Sequence, residues 1–278
     1  MQVADDVRLT RVEYFDIALD AAVALMTADE ITALPWAVPT WANADGTVLI
    51  GQALWVIEAG QRVIVVDPCG AADTFLRTGD AGLLHQERVA EIMRDAGFPR
   101  ERIDTVVLTH LDGIGMTAWL DADGNWSPMF PNARVVMTQA ELDFLATQTE
   151  VQGIDAIGAL MGAGVVDGVD TRFDIAPHVV LECTGGHSPG HAVVRLGTGP
   201  GSVIMLGHLA VSPVQLAADQ PDQAHLDATR ANAVIHELLA EARRDRVYLA
   251  GSLWPAPGIA TVGGAGEIMP VALADATG

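Results

Sequence analysis

The sequence predicts a mixed α/β protein in which two β-rich halves face one another with helices outside. Three observations predict it. Apolar, β-branched runs recur along most of the chain, helix-period segments lie between them, and each half carries a histidine-bearing turn beside a strand. No low-complexity linker divides the halves, so residues 1–278 are read as one domain with its core over about 45–265.

The first half is expected to hold strands at 47–59 (TVLIGQALWVIEA), 62–67 (RVIVVD), 104–109 (DTVVLT) and 133–138 (ARVVMT). The second half repeats the pattern at 178–183, 191–197, 202–207 and 246–251. Val, Ile and Leu dominate these runs, as they do where a strand is buried on both faces. Helical spacing is clearest at 86–97, at 227–245, and at 138–148, where Thr138 and Glu141 make the Thr-x-x-Glu signature of a capping box. The Gly-rich apolar stretch 151–175 is expected to be a helix–loop that covers the crevice and orders on binding.

Half of the 278 residues are apolar, enough for a sizeable core. No window approaches the ~18 to 20 uninterrupted apolar residues of a membrane span, and the N-terminus lacks a basic region followed by an apolar one. The chain is therefore read as cytoplasmic. Its 15 Lys plus Arg against 36 Asp plus Glu give a formal charge of −21, which repels phosphate backbones and anionic lipid. Nucleic acid and membrane are excluded as partners on that ground, and a small-molecule substrate is expected. Two cysteines, Cys69 and Cys183, stand outside any CxxC spacing, so neither a disulfide framework nor a thiolate zinc cluster is available. Cys69 follows a strand in a turn where it could border a pocket.

Among the eight histidines, His85, His225 and His236 fall in or beside helical patterns and read as solvated or half-buried side chains. Three others end strands or lie in Gly-rich turns: His110 in LTHLDG, His187 in CTGGHSPGH and His208 in MLGHLA. Such turns bring distant side chains together over a sheet edge. With Asp112, two positions after His110, they form a candidate N,N,N,O set for one zinc, manganese or iron ion.

Taken in order, VIVVDPCG, the segment from GFPRERIDTVVLTHLDG to QAELDF, GGHSPGHAVVRLG, VIMLGHLAVSPVQL and LAGSLWPAPGIATV resemble the metallo-β-lactamase superfamily, in particular its lactonase-like and organophosphate-hydrolase-like branch. The resemblance implies a four-layer αββα sandwich. Its first motif, His-x-His-x-Asp-His, has His110 in the first place and Asp112, Ile114 and Gly115 in the next three. His187 keeps the third-motif histidine, His208 replaces the bridging Asp, and Leu253 stands where a late His is usual. The resemblance thus implies a degenerate metal site, with the second metal position lost at Ile114, Gly115 and Leu253. The first position is altered but still able to coordinate through His110, Asp112, His187 and His208.

Two chemistries remain open from this pattern. One is hydrolysis of an ester- or lactone-like bond with at most one divalent metal. The other is metal-independent acid–base chemistry, as in a lyase, isomerase or cyclase, with His208 or His187 moving the proton and Asp112 orienting an imidazole. A non-catalytic small-molecule-binding protein is the competing class. Ile114, Gly115, Trp119, Leu253, Trp254 and Cys69 are the candidate pocket residues, since apolar groups near the vacated metal position would favour a bulky organic substrate. Asp67 matches the family's Asp-Thr-Gly turn and is expected to hold a neighbouring loop by hydrogen bonds, with His191 in a supporting role.

Overall fold

The computed structural model describes residues 1–68, 81–111, 117–148, 154–218 and 220–273. The chain opens with β1 (Gln2–Ala4) and β2 (Val7–Leu19), passes through the short helix α1 (Ala28–Thr32), and returns as β3 (Val48–Ala59) and β4 (Arg62–Val66). Helix α2 (Ala81–Asp95) leads to β5 (Thr105–Val107), and a separate hairpin, β6 (Ala118–Leu120) with β7 (Trp126–Pro128), precedes β8 (Arg134–Thr138). Helices α3 (Gln139–Leu145) and α4 (Ile154–Gly162) and strand β9 (Val166–Val169) complete the first sheet, in the order β1-β2-β3-β4-β5-β8-β9.

The second sheet holds β10 (Arg172–Ala176), β11 (Val179–Cys183), β12 (Ala192–Leu196), β13 (Val203–Met205), β14 (Tyr248–Ala250), β15 (Ile259–Val262) and β16 (Ile268–Pro270), in sequence order. Helix α5 (Ala228–Asp245) crosses between β13 and β14, which pair in parallel. In the first sheet, β4, β5, β8 and β9 run parallel in the same way.

Alternation along the strands creates the layers. In β3, Trp55 and Ile57 point into a cluster shared with Leu181, Val194 and Met205 of the second sheet, whereas Leu54 and Val56 point outward to Val89 and Met93 of α2. In β13, Val203 and Met205 face inward, and Ile204 faces outward toward Val234 and Leu238 of α5. Both sheets are thus covered on both faces, and each fully buried aliphatic side chain contributes about 1.5–3 kcal/mol. Helix, sheet, sheet and helix follow one another as the αββα sandwich requires.

Three expectations change. Core residues begin well before position 45: β2 pairs with β3 from Val7↔Ala59 to Leu19↔Val48, and Val7 and Leu9 are fully buried between the sheets. The described part of 151–175 does not cover a crevice. Ala156, Ile157 and Leu160 of α4 pack into the outer core of the first sheet, where the helix lies against the β6–β7 hairpin, and β9 and β10 are edge strands of the two sheets. An apolar helical stripe buries against a sheet more favourably than it spans an open site. Trp254 does not open on a cavity; its indole is fully enclosed against Trp41, with ring centroids 6.1 Å apart, and its Nε1–H donates to the Ala210 carbonyl at 3.0 Å. Among the described residues, no helix is long and apolar enough to cross a membrane.

Candidate functional site

Parallel strands end together, so the residues that follow them share one sheet edge. Asp67 follows β4, Thr109 and His110 follow β5, His208 follows β13 and Ser252 follows β14; His187 and His191 lie in the turn between β11 and β12. The Ala192 N–H donates to the Thr109 carbonyl at 2.9 Å and joins the two sheets at this edge. Gly207, at φ +59, permits the crowding: a Cβ there would stand 2.5 Å from Thr109 Oγ1 and 2.7 Å from His191 Nε2.

The edge gathers imidazoles. One ring nitrogen from each of His110, His187 and His208 lies within 4.8 Å of the others. His187 stacks on His208 with centroids 4.6 Å apart, and His110 meets both edge-on at 5.1 and 4.9 Å. His208 Nδ1 approaches His110 Nε2 to 3.0 Å. His110 and His187 are buried, and His208 is half-buried. Desolvation, then the neighbouring imidazoles, push the pKa of His110 well below the usual histidine range, so its ring is neutral and carries a lone pair.

Hydrogen bonds decide where the protons sit. Asp67 accepts from the Thr109 N–H at 2.8 Å, from Thr109 Oγ1 at 2.7 Å and from Ser252 Oγ at 3.0 Å. The single Thr109 hydroxyl proton is therefore committed to Asp67, and its oxygen accepts from Nδ1–H of His110 at 2.9 Å. That leaves the lone pair on His110 Nε2, the atom turned to His208. His191 is fixed in the same tautomer. Its Nε2 accepts from the His208 N–H at 3.2 Å, so its proton is on Nδ1, 2.9 Å from Thr184 Oγ1. Burial holds His191 neutral as well.

Two side chains that sequence patterns disguised complete the scaffold. Glu141 is buried, and its carboxylate accepts from the Leu111 N–H at 3.1 Å, Ser188 Oγ at 2.6 Å and the Gly190 N–H at 3.0 Å, so it ties the His110 turn to the His187 turn. Thr138 caps α3 as its pattern predicts, but the Glu side chain of the expected box turns away from the helix to the site. Burial raises the Glu141 pKa, opposed by these three hydrogen bonds. His225, expected to be solvated or half-buried, is buried with its Nδ1 3.0 Å from His187 Nδ1.

The remaining candidates divide. Asp112, Ile114, Gly115 and Cys69 lie outside the described residues. Trp119 packs on the outer core of the first sheet and carries the Arg100 guanidinium 4.4 Å above its ring. Leu253 packs on the outer core of the second sheet, beside the enclosed Trp254.

No family model matches the chain, and no curated protein matches it in sequence. Solved structures do. The chain is similar to AidC, a dizinc quorum-quenching lactonase solved with the product N-hexanoyl-L-homoserine, at 19% identity and a TM-score of 0.74, over 98% of this chain and 96% of that one. It is similar to the hydrolase AbOPH of the beta-lactamase superfamily at 20% identity and a TM-score of 0.71, over 96% and 95% of the two chains. A probable metal-dependent hydrolase from Staphylococcus aureus matches at 14% identity and a TM-score of 0.68, over 96% of both chains. Two covered sheets with helices on both outer faces thus superpose over near-complete chains: this protein has the fold of the metallo-β-lactamase superfamily.

Proposed function

We propose that the chain is a hydrolase of one domain, working in the cytoplasm on an ester- or lactone-like bond of a small organic substrate. It would hold at most one divalent metal, through His110, His187 and His208 with Asp112 as the oxygen donor, and would lack the second metal position. The observation that carries the reading is the convergence of three imidazoles within 4.8 Å at the strand ends of this fold. The lactonase and hydrolase activities of structural relatives support the reaction type.

The donor set fits a borderline cation. Zinc bound tetrahedrally to imidazoles at ~2.0–2.1 Å sets neighbouring ligand nitrogens roughly 3.3 Å apart. The His208–His110 pair stands at 3.0 Å and the full trio within 4.8 Å, so small side-chain adjustments suffice. When bound, such an ion acidifies a water toward neutral pH and polarises a carbonyl. The chain's own residues provide the rest. Asp67 and Thr109 keep His110 with its lone pair on Nε2, His191 holds the His208 backbone in place, and Glu141 keeps the two histidine turns in register.

A second reading draws on one specific contact. The 3.0 Å approach of His208 Nδ1 to His110 Nε2 is a ring-to-ring hydrogen bond that uses the lone pair a metal would take. In a metal-independent lyase, isomerase or cyclase, that pair would move the proton directly. Metal content of protein purified without chelator, measured beside a panel of esters and lactones, tests the proposal. Near-stoichiometric metal and hydrolysis, both lost in His110→Ala and His187→Ala, is the expected result. Metal-free protein whose activity ignores chelator and vanishes in His208→Ala would select the second reading. Ligand binding without turnover would select a non-catalytic binding protein. Indifference of every activity and ligand affinity to these substitutions would end the site assignment.

A further inference from the structure

The cluster contains a histidine that neither reading uses. His225 lies beyond His187 from the trio's centre, buried, with its ring perpendicular to that of His187 at 88° and 5.2 Å between centroids. Its Nδ1 is 3.0 Å from His187 Nδ1. Two nitrogens at that distance share one proton, so one ring donates and the other accepts.

The backbone makes this contact a fixed one. The Leu226 N–H donates to the His187 carbonyl at 3.0 Å and the Asp227 N–H to the Gly186 carbonyl at 2.9 Å, so the segment carrying His225 is stitched to the turn carrying His187. Asp227 also caps α5, accepting from the Arg230 N–H at 2.9 Å, which anchors the segment to a long helix. Gly186, at φ +94, admits that helix: a Cβ there would stand 2.6 Å from the Ala231 backbone. His225 further borders a cleft with Gln215, Asp222, Asn232 and His236.

His110 and His191 each give their Nδ1–H to a neighbouring hydroxyl, Thr109 or Thr184, and keep Nε2 as an acceptor. We infer that His225 is the equivalent device for His187: a positioning residue that accepts Nδ1–H of His187 and sets its Nε2 toward His110 and His208. The tautomer assignment stands without a metal. Only its consequence for metal affinity rests on the proposed single-metal site.

Long-range proton–nitrogen correlation spectra of the metal-free full chain with labelled histidine read the tautomer directly. The wild type should show His187 as Nδ1–H. His225→Ala should shift it toward Nε2–H, and His225→Asn, whose Oδ1 can occupy the place of the accepting nitrogen, should restore it. Zinc affinity by chelator competition should fall about 10- to 100-fold in His225→Ala and recover in His225→Asn. His187 found as Nε2–H in the wild type overturns the inference, as does a tautomer ratio unmoved by His225→Ala. If His225→Ala does not fold, the wild type and His225→Asn spectra still decide. If the wild type binds no zinc, the single-metal reading fails while the spectra judge His225 on their own.

Discussion

Asp67 and Glu141 are both buried beside the His110 turn, and each accepts three hydrogen bonds from neutral donors, yet they face different kinds of donor. Two of the three groups bonded to Asp67 are hydroxyls, those of Thr109 and Ser252. Two of the three bonded to Glu141 are backbone N–H groups, those of Leu111 and Gly190. A hydroxyl can turn and accept; an N–H cannot. Burial pushes both carboxyls above their ordinary pKa, but the difference in donors gives them different tasks. Glu141 fixes where the histidine turns stand relative to each other. Asp67 fixes which nitrogen of His110 carries the proton.

Glu141→Gln should expose that division with the largest effect. Either way round, the new amide directs its NH2 at a backbone N–H, Leu111 on one side or Gly190 on the other, and no rotation of the donors relieves it. Leaving a buried donor without an acceptor costs about 1–3 kcal/mol, and here a second group is set against it. We expect a stability loss of roughly 2–4 kcal/mol by denaturant unfolding, with disturbed geometry at His110 and His187. A loss under about 1 kcal/mol would mean that Glu141 is a bystander to the fold of this edge.

Asp67→Asn should behave otherwise. The amide oxygen can keep the Thr109 N–H while its NH2 faces two hydroxyls that can both accept, so stability should fall by only about 1 kcal/mol. The Thr109 proton, no longer required by Asp67, is then directed to His110 Nδ1, and His110 takes the Nε2–H form. Its lone pair leaves the trio. Metal affinity should drop about 10- to 100-fold in competition titrations although the protein remains folded. Equal damage to stability in Asp67→Asn and Glu141→Gln would erase the distinction between the two carboxylates.

The same contrast explains what the sequence made legible. Buried strands of Val, Ile and Leu are announced by composition, because covering both faces of a sheet leaves no room for polar alternation, and the four layers follow from them. His110, His187 and His208 stood out because each ends a strand or occupies a Gly-rich turn. Glu141 was legible only as a helix cap: its spacing from Thr138 satisfies a local rule, while its actual donors lie 30 and more residues away. His225 was hidden by the α5 pattern beside it, since nothing local records that residues 226 and 227 bond to the His187 turn. Trp254 misled in the opposite direction. Its position beside Leu253 suggested a pocket, but its ring is enclosed in the outer core with Trp41. Local signals specify elements; long-range hydrogen bonds specify the site.

Ser252→Ala is the finest probe of the Asp67 assignment. It removes one of the two hydroxyls on the carboxylate and leaves the other, so Asp67 Oδ2 still accepts from Thr109 at its present 2.7 Å. A neutral hydrogen bond lost at a buried site costs about 1 kcal/mol, which a modest fall in melting temperature would register. Because the Thr109 hydroxyl still donates to Asp67, it must still accept from His110 Nδ1, and the His110 tautomer is untouched. Metal affinity should therefore stay within about 2-fold of the wild type, by the small coupling expected when the orienting bond itself survives. If Ser252→Ala instead weakened metal binding as much as Asp67→Asn, the quantity that matters would be the number of bonds on the carboxylate. The direction in which Thr109 points its one proton would then have no separate part in setting up His110.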